Sequence, residues 1–125
     1  MWTSMIDGRF NRKGELIFEI GLITANEALI SVPALLDTGF TDWLLLNNEM
    51  ALDLGWVQTR SQKRMQTAGG IITFRIYQGI ILFDREELII RALGGDEILD
   101  ILLGVKWLQI KRLVADYSQN ILRLE

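Results

Sequence analysis

Asp37 is the residue around which this chain arranges the most chemistry. The run Val32-Pro-Ala-Leu-Leu-Asp-Thr-Gly-Phe40 brings a carboxylate out of an apolar stretch and sets it directly before a small hydroxyl and a glycine. A carboxylate at the mouth of a buried strand is costly unless it is used or satisfied. Thr38 supplies a hydroxyl able to hydrogen-bond across such a site, and Gly39 lets the backbone approach so that its amide can reach the carboxylate. The bland reading is a turn aspartate that caps local structure. Strand context and a second, similar segment downstream favour the chemical one. The chain has no His and no Cys. That removes a Ser-His-Asp triad, a Cys-His pair, a zinc site of the usual ligand types and a thiol redox centre. An enzyme made of this chain alone works with carboxylates, Lys, Tyr or backbone groups.

The elements that must position Asp37 read as mainly β. Strand-like runs occur at Glu15–Ile20, Ala28–Val32, Trp43–Leu46, Ile71–Tyr77, Ile80–Phe83 and Glu87–Arg91, rich in leucine, β-branched and aromatic residues. Several are continuously apolar, as strands covered on both faces are. Turn signals fall at Asp7-Gly8, Lys13-Gly14, Asn26-Glu27, Gly69-Gly70, Gly79 and Gly94-Gly95-Asp96. Two short helices are expected. One runs over Asn48–Leu54 from an Asn pair able to cap it to Gly55, and the other follows Gly104 over Val105–Lys111. A coarse internal similarity links Ala34-Leu-Leu-Asp-Thr-Gly39 with Leu99-Asp-Ile-Leu-Leu-Gly104, each an apolar strand ending in glycine. Trp43, Trp56 and Trp107 read as packing residues rather than ligand stackers.

At 125 residues, half of them hydrophobic, residues 1–125 are expected to form one domain with its own core. The net charge of -3 comes without a concentrated basic stretch, so nucleic acid is not expected as a partner. The opening residues lack the pattern of a secretory leader, and no apolar run approaches the roughly 20 residues of a membrane span. A soluble cytoplasmic protein without membrane contact is the expectation.

Asp37-Thr38-Gly39 preceded by Ala-Leu-Leu, with Ile101-Leu102-Leu103-Gly104 downstream, resembles the signature of the aspartic proteases. The single Asp-Thr-Gly narrows the resemblance to the retropepsin-like, single-domain family of bacterial type. Pepsin-like enzymes carry two such loops in a much longer chain, whereas retropepsins carry one and form a symmetric homodimer. The resemblance covers nearly the whole chain and implies a closed, barrel-like half-pepsin fold with one or two short helices. It further implies an endopeptidase in which Asp37 of two copies share a proton and a water. One carboxylate takes a proton from the water that attacks the peptide carbonyl, and the other donates to the carbonyl oxygen. Such a pair of like charges titrates as a unit. No metal or cofactor is needed.

The same resemblance assigns Thr38 and Gly39 to support of the loop, and Leu102, Leu103 and Gly104 to a structural element packed beneath it. Gln66-Thr-Ala-Gly-Gly-Ile-Ile72, an ordinary glycine hairpin when taken alone, becomes a flap in which Ala68, Gly69, Gly70 and Ile71 close on an extended peptide or protein substrate. Phe40 departs from the family pattern, which has Ser, Thr or Ala there. Without that hydroxyl the pair is expected to be less suited to very acidic conditions. Thr41-Asp42 departs from the Asp-Asp of retroviral sequences. Trp2–Ile6 and Asn120–Glu125 fit two arrangements, interleaved strands of a dimer sheet or pairing within one chain. The second would suit an alternative function, a catalytically weak or inactive peptide-binding or regulatory module of the same fold that dimerises weakly or stays monomeric. A further alternative is an unrelated small β-barrel interaction domain.

Overall fold

Ten strands organise residues 5–125, the part of the chain that the computed structural model describes. They are β1 (Ile6–Phe10), β2 (Leu16–Ile23), β3 (Leu29–Leu36), β4 (Leu44–Asn47), β5 (Val57–Thr67), β6 (Gly70–Phe83), β7 (Glu86–Gly95), β8 (Leu102–Leu103), β9 (Leu113–Asp116) and β10 (Ile121–Leu124). They form one sheet in the order β5-β6-β7-β4-β8-β3-β2-β1-β10-β9, and β6 also pairs with β2. That extra pairing, Gly21 opposite Leu82 and Leu22 opposite Ile81, closes the strands from β6 through β2 into a ring. A closed ring leaves no free edge among its members.

The core follows from alternation. Phe18, Ile20 and Leu22 of β2 point inward, as do Ala34 and Leu36 of β3, and they meet Leu44, Leu46, Tyr77, Ile81, Phe83, Leu103 and Trp107. β4 is the strand covered on both faces, with Leu44, Leu45 and Leu46 all buried. Leu45 turns away from the main core into a smaller one with Phe40, Phe74, Ile76 and Leu93.

Helix α1 (Asn48–Asp53) is capped by Asn47, whose side chain accepts the Glu49 N–H at 2.8 Å, and the chain leaves it through Gly55 at φ +75°. The second expected helix is a 3₁₀ turn over Val105–Gln109. Trp56 and Trp107 are buried, and their indole N–H groups donate at 2.8 Å to the carbonyls of Ile23 and Trp43.

Three expected turns are strand interior instead. Gly8 lies within β1 opposite Phe18, Gly79 lies within the continuous strand β6, and Gly94 and Gly95 end β7, so that turn begins at Asp96. Each glycine is needed for room rather than for bending. A Cβ on Gly8 would fall 2.6 Å from the Ile17 carbonyl oxygen, one on Gly79 would press the Trp56 ring, and one on Gly94 would fall 2.3 Å from Asn48 Oδ1. Strand β5 carries little of the apolar pattern used to read strands, being polar and largely exposed, and it is held by its pairing with β6.

The first and last described strands pair within one copy. β10 lies between β1 (Ile6 opposite Leu124) and β9 (Leu124 opposite Leu113), so both of its edges are occupied. Trp2, Thr3 and Ser4 lie outside the described residues. No described helix is long and apolar enough to cross a membrane.

Candidate active site

Asp37 is the first residue beyond β3, and the strand beside it fixes where it stands. β8 runs parallel to β3 with Leu35 opposite Leu102 and Leu36 opposite Leu103. The ladder continues past both strand ends, since the Leu35 N–H donates to the Ile101 carbonyl at 2.8 Å and the Asp37 N–H to the Leu103 carbonyl at 2.9 Å. The two segments of similar sequence thus lie side by side. Leu103, 1% exposed, and Leu36 pack under the point where Asp37 emerges.

The loop then turns tightly. The Gly39 N–H donates to Asp37 Oδ1 at 2.9 Å, and the Phe40 N–H to the Asp37 carbonyl at 3.1 Å. Gly39 thus brings its amide to the carboxylate as expected, and its φ is not in the left-handed region. Asp37 itself is half-buried and Thr38 is exposed. The Thr38 hydroxyl makes no hydrogen bond with any described residue, so a bond across the site is not made within one chain.

Gly104 closes the assembly from the other side. Its N–H donates to the Trp43 carbonyl at 3.1 Å, and the Val105 N–H to the Phe40 carbonyl at 2.8 Å. A Cβ on Gly104 would fall 1.7 Å from the Asp42 carbonyl oxygen and 2.8 Å from that of Phe40, which no side chain can meet without moving the loop. Glycine is required here by close backbone approach.

The expected flap is the β5–β6 hairpin, turning at Ala68-Gly69. Gly70 takes φ +117° with open space around it, so its demand is conformational. Thr67 Oγ1 donates to the Gly70 carbonyl at 2.8 Å and accepts the Gly69 N–H at 3.3 Å. From Lys63 opposite Phe74 to Thr67 opposite Gly70 the hairpin pairs only with itself, because the β6–β7 ladder begins at Arg75 opposite Gly94. It is a two-stranded ribbon projecting from the sheet, with Ile71 65% and Ile72 45% exposed near its tip.

Two residues that sequence reasoning undervalued tie this ribbon to the Asp37 loop. Phe40, 6% exposed, packs with Phe74 and Ile76 of β6, and Met65 of β5 lies against the same cluster. Asp42 is 1% exposed and carries a charge. Its Oδ1 accepts the Trp43 N–H at 2.9 Å, and its Oδ2 meets Lys63 Nζ at 3.3 Å and Arg91 Nε at 3.4 Å. A sequence signal for Phe40 existed in its departure from the family pattern. Thr41-Asp42 also departs from that pattern, but nothing local marks Asp42 as buried and paired, because its two cations lie 21 and 49 residues further along.

Among the described residues no three His, Cys, Asp or Glu side chains come together as a metal site. The arrangement offers one half-buried carboxylate on a loop held by the β3–β8 ladder, joined through Phe40 and Asp42 to the root of a glycine-tipped ribbon, and the chain contains a single Asp-Thr-Gly.

No protein-family model matches the sequence, and no curated protein does. Among solved structures, the fold is similar to that of a retropepsin-like aspartic protease from Rickettsia conorii, with a TM-score of 0.62 at 22% sequence identity. The match covers 99% of this chain and 94% of that one. The chain is therefore mainly β with a retropepsin-like fold, as the Asp-Thr-Gly loop and its downstream partner imply.

Proposed function

We propose that this protein is an aspartic endopeptidase whose active site forms when Asp37 of one copy meets Asp37 of a second. The observation that carries the reading is the placement of Asp37. It leaves a buried strand beside Leu103-Gly104 and accepts one hydrogen bond, from Gly39, so most of its hydrogen-bonding capacity is open. In this reading one Asp37 takes a proton from a water as it attacks the substrate carbonyl, and the other gives a proton to the carbonyl oxygen. The peptide lies extended beneath the ribbon and pairs with it through backbone groups at Ala68, Gly69, Gly70 and Ile71. The unused Thr38 hydroxyl faces the second copy, as the loop's contribution to the joint. With Phe40 in the place of a hydroxyl residue, the activity optimum falls above about pH 3.

A second reading has its own support. β10 is flanked on both edges within one chain, which leaves no gap for a partner's terminal strand. A chain whose β10 is already paired on both sides, with only β9 presenting an outer edge there, is suited to be a monomeric or weakly dimerising peptide-binding module. Under the protease reading, the two copies must instead meet through the Asp37 loops, with the exposed ribbon residues Ile71 and Ile72 as further apolar surface.

Peptide-library cleavage with Asp37→Asn as control separates the two, together with sedimentation. The protease reading expects a dimer and a loss of about 10²–10⁴-fold in kcat/KM for the variant, with its folding intact. Cleavage that persists in Asp37→Asn would sink the catalytic assignment, and a monomer that binds peptides without cutting them would establish the second reading.

A further inference from the structure

The buried carboxylate of Asp42 has no part in the chemistry proposed for Asp37, yet it sits five residues downstream and is nearly sealed from water. A charge in that position is retained only if it is well partnered. Its partners come from two different strands. Arg91 belongs to β7, within the ring, opposite Gln78. Lys63 belongs to β5, opposite Phe74, at the point where the β5–β6 ribbon leaves the sheet. The Asp42 backbone cannot yield, since its carbonyl is packed against Gly104. On the opposite strand of the same root, Phe74 is held by Phe40. The root of the ribbon is therefore attached twice to the loop that carries Asp37, once by an apolar contact and once by an ion pair.

We propose that Asp42 is a positioning residue, which through Lys63 tethers the root of the β5–β6 ribbon to the Asp37 loop and so fixes where the ribbon stands relative to the reacting carboxylate. The proposal rests on reading the ribbon as a flap over bound peptide. The two cations are not equivalent under it. Lys63 restrains the projecting ribbon, whereas Arg91 restrains a strand already locked by β4 and β6 on its two sides. Either cation alone still leaves Asp42 partnered, and both have side chains that reach solvent, 27% exposed for Lys63 and 45% for Arg91. Removing one is thus compatible with folding.

The test compares Lys63→Met with Arg91→Met, substitutions that drop the charge and keep an apolar stem. Amide hydrogen exchange is followed over 64–73 and in β2 and β3. Lys63→Met is expected to speed exchange in the ribbon about threefold to tenfold and leave β2 and β3 unchanged, while Arg91→Met leaves the ribbon at the wild-type rate. With a cleavable peptide, Lys63→Met is expected to raise KM by a similar factor with kcat within about twofold, and Arg91→Met to change neither. Asp42→Asn retains an oxygen for the Trp43 N–H and is expected to reproduce the ribbon effect. Adding Lys63→Met to it should produce no further change, because the pair acts as one unit. Equal ribbon effects from Lys63→Met and Arg91→Met, no effect from Lys63→Met, or full additivity in the double variant would each overturn the tether and leave an ordinary structural ion pair. The exchange comparison does not require turnover. A protein that cuts no peptide therefore defeats the protease reading without deciding the tether.

Discussion

Ala34–Gly39 and Leu99–Gly104 have similar outlines, run parallel with Leu36 opposite Leu103, and each end in a glycine, yet the two glycines face different demands. A Cβ on Gly39 would meet Asp37 Oδ1 at 3.1 Å and nothing else nearby, whereas one on Gly104 would collide with two main-chain carbonyls. The first segment presents a half-buried carboxylate with one internal hydrogen bond, and the second is spent on packing and backbone approach. A loop that must offer a reactive group cannot also be locked by its own contacts. The neighbour supplies the rigidity, and the carboxylate stays accessible. That division predicts which substitutions break the fold and which touch only the site.

Gly104→Ala carries the largest expected effect on stability. The displaced carbonyls belong to the Asp37 loop itself, so the cost should be at least about 3 kcal/mol, at the high end for overpacking. Denaturant unfolding measures it, and a loss near 1 kcal/mol would mean that the loop has slack and the two segments share the load. Phe40→Ala comes next, at about 2–3 kcal/mol. It removes a ring from a core, but from the smaller one, whose partly buried border of Met65, Ile98 and Leu102 leaves room for rearrangement. Should Phe40→Ala be silent, the ladder to β8 alone would hold the loop. Gly39→Ala is expected to cost less than about 1 kcal/mol, since the carboxylate need shift by only a few tenths of an ångström. A greater loss there than at Gly104 would reverse the comparison.

The residues that made the candidate site legible in the sequence are those whose demands are local. Asp37-Thr38-Gly39 and Leu102-Leu103-Gly104 each act through their immediate neighbours, and so each leaves a short pattern. Most apolar strands were legible for the same reason. The glycines at 8, 79 and 94 misled because glycine marks either a turn or a close approach, and the approaching groups (Phe18, Trp56, Asn48 and Tyr77) come from other elements. β5 was hidden by its polarity, its strand state being imposed by β6. Asp42 was hidden most completely, because a buried charge is recognisable only together with its partners.

A carboxylate elsewhere in the chain shows what a locally saturated aspartate looks like and gives the smallest effect. Asp116, the last residue of β9 before the turn into β10, accepts from the Ser118 Oγ and backbone N–H at 2.6 and 3.0 Å, and from Gln119 Nε2 and N–H at 2.8 and 3.3 Å. The Ser118 side-chain bond foremost, then those of Gln119, hold its carboxyl below the ordinary value of 3.8. A folded-state value below the unfolded one means that the unfolded chain binds the proton more readily. The resulting stabilisation is present above the unfolded value and disappears as pH falls through the folded one. Ser118→Ala should therefore move the Asp116 titration upward by NMR and reduce stability slightly at neutral pH, with the difference from wild type vanishing in strong acid. Peptide cleavage should be unchanged, because a carboxylate whose lone pairs are already taken by its own turn has nothing left to offer a substrate. A loss of cleavage in that variant would show that this turn contributes to assembly of the site, and that openness of the carboxylate is not what distinguishes Asp37.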